Sequence, residues 1–338
     1  MGSTTSGLTC AGRLAACLAS TFVLLSLAFV GMASGEDDKL MVVCTNSALA
    51  DFAANVFGEE LGDAVEVEYI MPAAVCPSHF DTSPSDVVTI ASADVVISLG
   101  WEPWVSDLLE SSGNDDAYEI ACLGLGEWNI PSGAELHISK IAEGLSEFKP
   151  DWSSTFTANA LSYSAEIADA FEAARQMVAS EGLNGTKVVT IEWYTLFLEE
   201  LGFEVAKSYG APEGLSTADI LEISAACDDP EVAMVVDNLQ STVDFGMQLA
   251  ADYGKIHVVL SNFPGAIPGK YAYLDNFEYN VDELVNGAVA FETMQSELSD
   301  LESEISSLEF QRVALASAVA ALAILLVLSI LIARRKKR

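Results

Sequence analysis

The chain has 338 residues, of which 51% are apolar, and a formal net charge of −35. Arg13 and the basic run 334–338 hold 6 of its 15 Lys and Arg, so the stretch between them carries 9 cations against 50 acids. Repulsion from phosphate excludes nucleic acid as a partner, and an acidic surface that draws cations loosely and keeps a protein soluble in salt is not by itself a metal site.

Residues 15–33 are almost all apolar, follow Arg13 and end in Gly31-Met32-Ala33. This is the pattern of a secretory signal peptide over 1–35. An uncleaved anchor is the other reading of a run that long. Export leaves Cys44, Cys76, Cys122 and Cys227 in a compartment that permits disulfides, with three full pairings open.

From 36 to 150 short apolar strands alternate with helical patterns. Strands are expected at Leu40–Cys44, Val65–Met71, Ala93–Leu99 and Ala117–Leu123, and helices at Ser47–Phe57, Pro84–Ser92 and around Trp104–Ser111. Asn46 suits the first helix as N-cap, and Ser83-Pro84 opens the second. Strand–helix alternation at this spacing predicts a parallel α/β lobe. A long helix fills 151–183, with Phe156, Ala160, Tyr163, Ile167, Ala170 and Phe171 on one face. It ends at Asn184-Gly185-Thr186, a glycosylation sequon. A second α/β lobe follows over 184–290, with strands at Lys187–Glu192, Glu204–Tyr209, Val232–Asp237 and Lys255–Leu260. The predicted fold is therefore α/β: two Rossmann-like lobes joined by one rigid helix. Ligands of open parallel sheets bind at the carboxyl ends of strands, so both lobes should offer those ends to a shared cleft.

Residues 291–312 read as a helical stalk, with Met294, Leu298, Leu301, Ile305 and Leu308 at 4-3-4-3 spacing. Such a seam could form a weak dimer or lie against its own domain, since about two heptads fall short of a secure coiled coil. Val313–Ala333 is uncharged and apolar, and Arg334-Arg335-Lys336-Lys337-Arg338 follows it. That is the pattern of a transmembrane helix with a cytoplasmic basic tail, giving a single-pass type I protein whose bulk is extracellular.

The most informative stretch is 71–104. It places His79, one of three histidines, in a Pro-flanked loop after a strand, and ends in Gly100-Trp101-Glu102-Pro103-Trp104. Together with Val42–Asp51, Pro77-Ser78-His79-Phe80-Asp81, Pro84-Ser85-Asp86, Leu136–Asp151 and Tyr279-Asn280-Val281-Asp282, it resembles the solute-binding receptors of zinc and manganese ABC importers, the cluster nine family. The resemblance implies a divalent ion held between two lobes by histidines and carboxylates, and an ABC permease in the same membrane as partner.

Carried over by position, the first ligand falls on His79 and the third on Glu192. The second belongs to a Pro-His-x-Trp sequence, where this chain has Leu125-Gly126-Glu127-Trp128. The fourth, normally aspartate, falls on Ser261 or Asn262. Glu127 could stand in from the adjacent position; with Glu192 and His79 it would favour manganese over zinc. Its bland reading is a solvated loop acid. Cys76 and His79 form Cys-x-x-His, from which a thiolate could reach the same ion. The competing reading, favoured in an oxidising compartment, is a disulfide from Cys76 to Cys122 or Cys44. Asp237 ends a strand and should point at the cleft as a ligand or a ligand's partner, or else cap the next helix. His137 and His257 lie away from the expected cleft.

The expected cargo is a divalent transition metal, manganese or zinc, with no organic cofactor. No nucleophile elbow, P-loop or dinucleotide glycine pattern is present, so no enzyme is expected. Two other readings compete: the same receptor taking a chelated metal or small organic solute, and a surface or adhesion protein with a degenerate site.

Overall fold

The computed structural model describes residues 39–124, 127–241 and 243–335. The signal-peptide reading of 1–35 and the last three residues of the basic tail lie outside the described residues.

Lobe one is a four-stranded parallel sheet. Its strands are β1 (Leu40–Cys44), β2 (Val65–Tyr69), β3 (Val95–Ser98) and β4 (Tyr118–Ala121), in the order β2-β1-β3-β4. Lobe two repeats the plan with β5 (Lys187–Ile191), β6 (Glu204–Tyr209), β7 (Val232–Asn238) and β8 (Ile256–Leu260), in the order β6-β5-β7-β8. The central strands β3 and β7 are buried along their whole length. That is why they read as unbroken apolar runs, because helices cover both faces of such a sheet. In each lobe the chain order reverses beside the first strand, so a crevice opens at the carboxyl ends of β1 and β3, and of β5 and β7.

The helices are set by local chemistry. In α1 (Ser47–Leu61) the Asn46 side chain accepts from the amides of Ala48 and Leu49 at 3.1 and 3.0 Å, as an N-cap should. Gly58, at φ 68°, breaks α1 internally. The Asn159 amide donates to the carbonyls of Val56 and Phe57 there, at 3.1 and 3.2 Å. A Cβ at Gly58 would stand 2.5 Å from that amide nitrogen, so the kink and its external partner require glycine. Ser83 and Asp86 form a capping box on α2 (Pro84–Ala91), with Pro84 in the first turn. The helix α3 (Val105–Ser112) stops at left-handed Gly113.

After α4 (Pro131–Phe148) comes the predicted connecting helix α5 (Ser153–Ser180), 28 residues and about 42 Å long. Phe156, Ala160, Tyr163 and Ile167 enter the core of lobe one, while Phe171, Ala174 and Val178 enter that of lobe two. One apolar stripe thus serves two cores, which makes the helix a strut rather than a tether. Lobe two carries α6 (Thr195–Leu201), α7 (Thr217–Cys227) and α8 (Asp244–Tyr253).

The last helix, α9, runs unbroken from Tyr273 to Arg335, 63 residues. The stretches read as closing helix, stalk and span are one element. Tyr273 packs in lobe one, and Phe277, Val281, Leu284 and Ala288 in lobe two. From 295 to 335 every residue is exposed, including Leu298, Leu301, Ile305 and Leu308. The stalk therefore projects from the lobes and does not fold back on them. Of the described helices, α9 alone is long and apolar enough to cross a membrane by length and composition.

Candidate metal centre

The lobes face each other across a cleft of about 1120 Å³. Each wall is built from segments that leave the carboxyl ends of strands. Lobe one contributes Cys76 and His79 after β2, Trp101 after β3, and Glu127 to Asn129 after β4. Lobe two contributes Glu192 and Trp193 after β5, Glu213 after β6, Gln240 after β7, and Asn262 and Phe263 after β8.

His79 ends a single 3-10 turn, Pro77–His79. The Trp104 indole pins that turn by donating to the Pro77 carbonyl at 3.0 Å, and Phe80 packs edge-on to Trp104 at 4.9 Å. The imidazole is left open, 66% exposed, with Nε2 3.8 Å from a carboxylate oxygen of Glu213 on the opposite lobe. An ion pair this exposed adds little stability. It does show that the loops after β2 and β6 can meet across the cleft mouth. Glu213 was not legible as a site residue; its only signal was a Pro-Glu-Gly turn just past a strand end.

Glu192 opens the 3-10 turn after β5 and is exposed in the cleft, its carboxylate lying against Gly210. Glu127 is likewise exposed on the lobe-one wall. Four of the five expected ligands, His79, Glu127, Glu192 and Cys76, therefore line one cleft. They do not converge in this structure: among the described residues, no three His, Cys, Asp or Glu side chains come together as a metal-binding group.

Two expectations are corrected. Asp237 does not point into the cleft. Its buried carboxylate accepts from the Tyr209 hydroxyl at 2.6 Å and pairs with His257 Nε2 at 2.8 Å. It also faces Gly246 of α8, where a Cβ would come within 1.9 Å of the carboxylate. Strand alternation explains this, because neighbouring side chains leave opposite faces. The adjacent Asn238 is a cleft residue, and Asp237 faces the packed side. Nor is there a disulfide: Cys44, Cys76, Cys122 and Cys227 are all free thiols. Burial, then the nearby Cys122, pushes the Cys44 thiol well above its ordinary pKa. Burial, then Glu102, pushes Cys122 up to about 12. Neither is a thiolate at neutral pH, and neither lines the cleft.

The Gly…Glu-x-Trp turn is a brace. Glu102 is buried and accepts from Thr45 Oγ1 at 2.6 Å and from the Leu99 amide at 3.1 Å. It locks the end of β1 to that of β3, the crevice where loops must be held rigid.

The cleft floor is built from amides. Asn129 donates to the Asn262 side-chain oxygen at 2.8 Å, and the Trp128 indole donates to the Asn262 carbonyl at 3.1 Å. Gln240 reaches across to the Ala73 carbonyl at 2.8 Å. Asn262, one of the two positions (with Ser261) where the resemblance puts the fourth ligand, thus ties the lobes together. Behind this wall His137 is fully buried on α4. Burial holds its pKa below the ordinary histidine value, offset in part by the Gly133 carbonyl and the Glu127 carboxylate.

Comparison with known proteins places this arrangement. Residues 42–287 match the family model of ZnuA, described as zinc-uptake complex component A, periplasmic. The manganese ABC transporter substrate-binding lipoprotein scaA of Streptococcus gordonii is 29% identical over 175 residues, 42% of this chain and 55% of that protein. The iron ABC transporter substrate-binding lipoprotein MtsA of Streptococcus pyogenes is 25% identical over 218 residues, 57% of this chain and 66% of that one. The chain thus spans roughly half to two thirds of the length of these relatives. In fold it is similar to a crystal structure of ZnuA, with TM-score 0.62, 16% identity, and coverage of 74% of this chain and 100% of that one. It is also similar to a periplasmic metal-binding protein from Candidatus Liberibacter asiaticus, with TM-score 0.61, 16% identity and the same coverage. With the family model matching well over half of its length, the chain belongs to the ZnuA family, the solute-binding receptors of zinc and manganese ABC importers.

Proposed function

We propose that this protein captures a divalent transition metal ion in the cleft and delivers it to an ABC permease in the membrane that anchors it. The observation that carries this reading is the cleft itself: His79 and Glu127 on one lobe face Glu192 and Glu213 on the other. Imidazole and carboxylate donors suit manganese or zinc, and a carboxylate-rich set favours the harder ion. Closure of the lobes would bring the donors from the two walls onto one ion, the α5 strut keeping the lobes in register. The tether is α9, whose segment Val313–Ala333 carries no charge and spans about 31 Å. Arg334 and Arg335 then mark its cytoplasmic end, with the lobes outside.

The cleft volume favours one second reading. About 1120 Å³, with Trp101, Trp128 and Trp193 in its lining, is far more than a bare ion fills. A chelated metal or small cationic solute would stack on those rings. Calorimetric titration of the detergent-solubilised full chain with manganese and zinc tests the first reading. Micromolar or tighter binding supports it. No heat with either ion, together with saturable binding of a metal chelate, would replace it with the second.

A further inference from the structure

The end of β8 has no residue fit to be the receptors' fourth, acidic ligand. Ser261 is fully buried; its hydroxyl donates to the Phe263 carbonyl at 3.0 Å and accepts from the Gln240 amide at 3.1 Å. Asn262 is neutral, and its side-chain oxygen takes the Asn129 amide at 2.8 Å. Neither position supplies a charge, and both are held in the cleft floor. Among the described residues that line the cleft, lobe two offers two carboxylates, Glu192 and Glu213. Glu192 is the third ligand of the resemblance. Glu213 has no counterpart in it.

Glu213 is presented much as His79 is. Each sits in a single 3-10 turn opened by proline, Pro77–His79 after β2 and Pro212–Gly214 after β6. Proline fixes φ at the head of each turn. Backbone bonds from His79 to Cys76 at 3.0 Å and from Gly214 to Ala211 at 2.9 Å close them. The strands β2 and β6 are matching edge strands of the two sheets. Across the cleft mouth His79 Nε2 lies 3.8 Å from Glu213 Oε1, with the side chains 66% and 55% exposed, so the space between them is open. An ion bonded to both at about 2.1 Å would see them at about 130°, and an approach of about 0.4 Å gives the tetrahedral angle. The Glu192 carboxylate lies against Gly210, at the head of the same loop, so a third donor adjoins the pair. A direct ion pair this exposed adds little stability, so stability does not account for two lobes meeting at these side chains.

We infer that Glu213 is a metal ligand of this chain, taking from the loop after β6 the role that the end of β8 has lost, and that it holds one divalent ion with His79 across the mouth of the cleft. The inference rests on the reading of the cleft as a metal-capture site. It differs from the receptors' pattern in joining the loops of two edge strands, β2 and β6. One imidazole with carboxylates from Glu213 and the adjoining Glu192 suits manganese, iron(II) or zinc.

Calorimetric titration of the full chain in detergent with manganese and with zinc, in two variants, tests it. Glu213 is exposed, so its replacement leaves the cores intact. Glu213→Gln keeps the shape and a hydrogen-bonding oxygen for His79 but removes the charge, and should weaken binding of both ions by about tenfold or more. Glu213→His replaces a hard oxygen donor with a nitrogen donor, and should shift the ratio of affinities toward zinc by about tenfold. A residue that only braced the cleft mouth or added distant charge would not produce that shift. Glu213→Gln binding as tightly as the parent, or Glu213→His leaving the ratio unchanged, would overturn the inference and leave the capture reading standing. No binding of either ion by the parent would remove the capture reading itself.

Discussion

The Asn129 amide of lobe one donates to the Asn262 side-chain oxygen of lobe two at 2.8 Å. Asn262 is one of the two positions, with Ser261, where the resemblance puts the receptors' fourth, acidic ligand. Here an amide fastens the lobes at a position expected to hold a charge on the ion.

Asn262→Asp should therefore strengthen metal binding. A carboxylate oxygen can accept the Asn129 bond as the amide oxygen does, so the floor survives while the cleft gains a negative charge. Added ligand charge raises affinity for hard cations, here by about tenfold. Calorimetry with manganese and zinc checks it, and equal or weaker binding would show that residue 262 does not face the ion.

His79→Ala should abolish tight metal binding while changing stability by less than about 0.5 kcal/mol, because the side chain is mostly exposed and its ion pair is with the equally exposed Glu213. Glu192→Gln should weaken binding with the fold intact, since it keeps shape and removes the charge. Titrations matching the parent for both variants would place the site elsewhere.

Asp237→Ala should do the opposite. It strands the Tyr209 hydroxyl and the His257 ring nitrogen, both tied to a buried carboxylate. The expected cost is about 3 kcal/mol of stability, read by denaturant unfolding, with the metal dissociation constant unchanged. A large loss of affinity in a stable Asp237→Ala protein would return that residue to the site.

The tether has its own test. Truncation after Glu309 should release a soluble, folded protein, because the exposed half of α9 contributes nothing to either core. Protease added to intact cells should digest the lobes and spare a C-terminal tag. Protected lobes would reverse the topology.

Periodicity alone set the strands, the connecting helix and the apolar C-terminal run, because burial on one or both faces of an element writes its repeat into local sequence. The shared face of Phe156, Ala160, Tyr163 and Ile167 was readable for that reason. So was the line of strand ends that brings His79, Glu127 and Glu192 to one cleft. What local sequence cannot hold is which neighbour a side chain meets. Asp237 looked like a cleft residue because strand ends face clefts; only the pleat turned it toward Tyr209, His257 and Gly246. The cysteines offered a disulfide by location, but three-dimensional placement leaves all four as thiols. Glu213 meets His79, and the Trp128 indole meets the Asn262 carbonyl, each across 134 residues of chain. Those relationships depend on how two sheets and a strut are assembled in space. The tertiary structure decided them, and the chemistry of the site resides there.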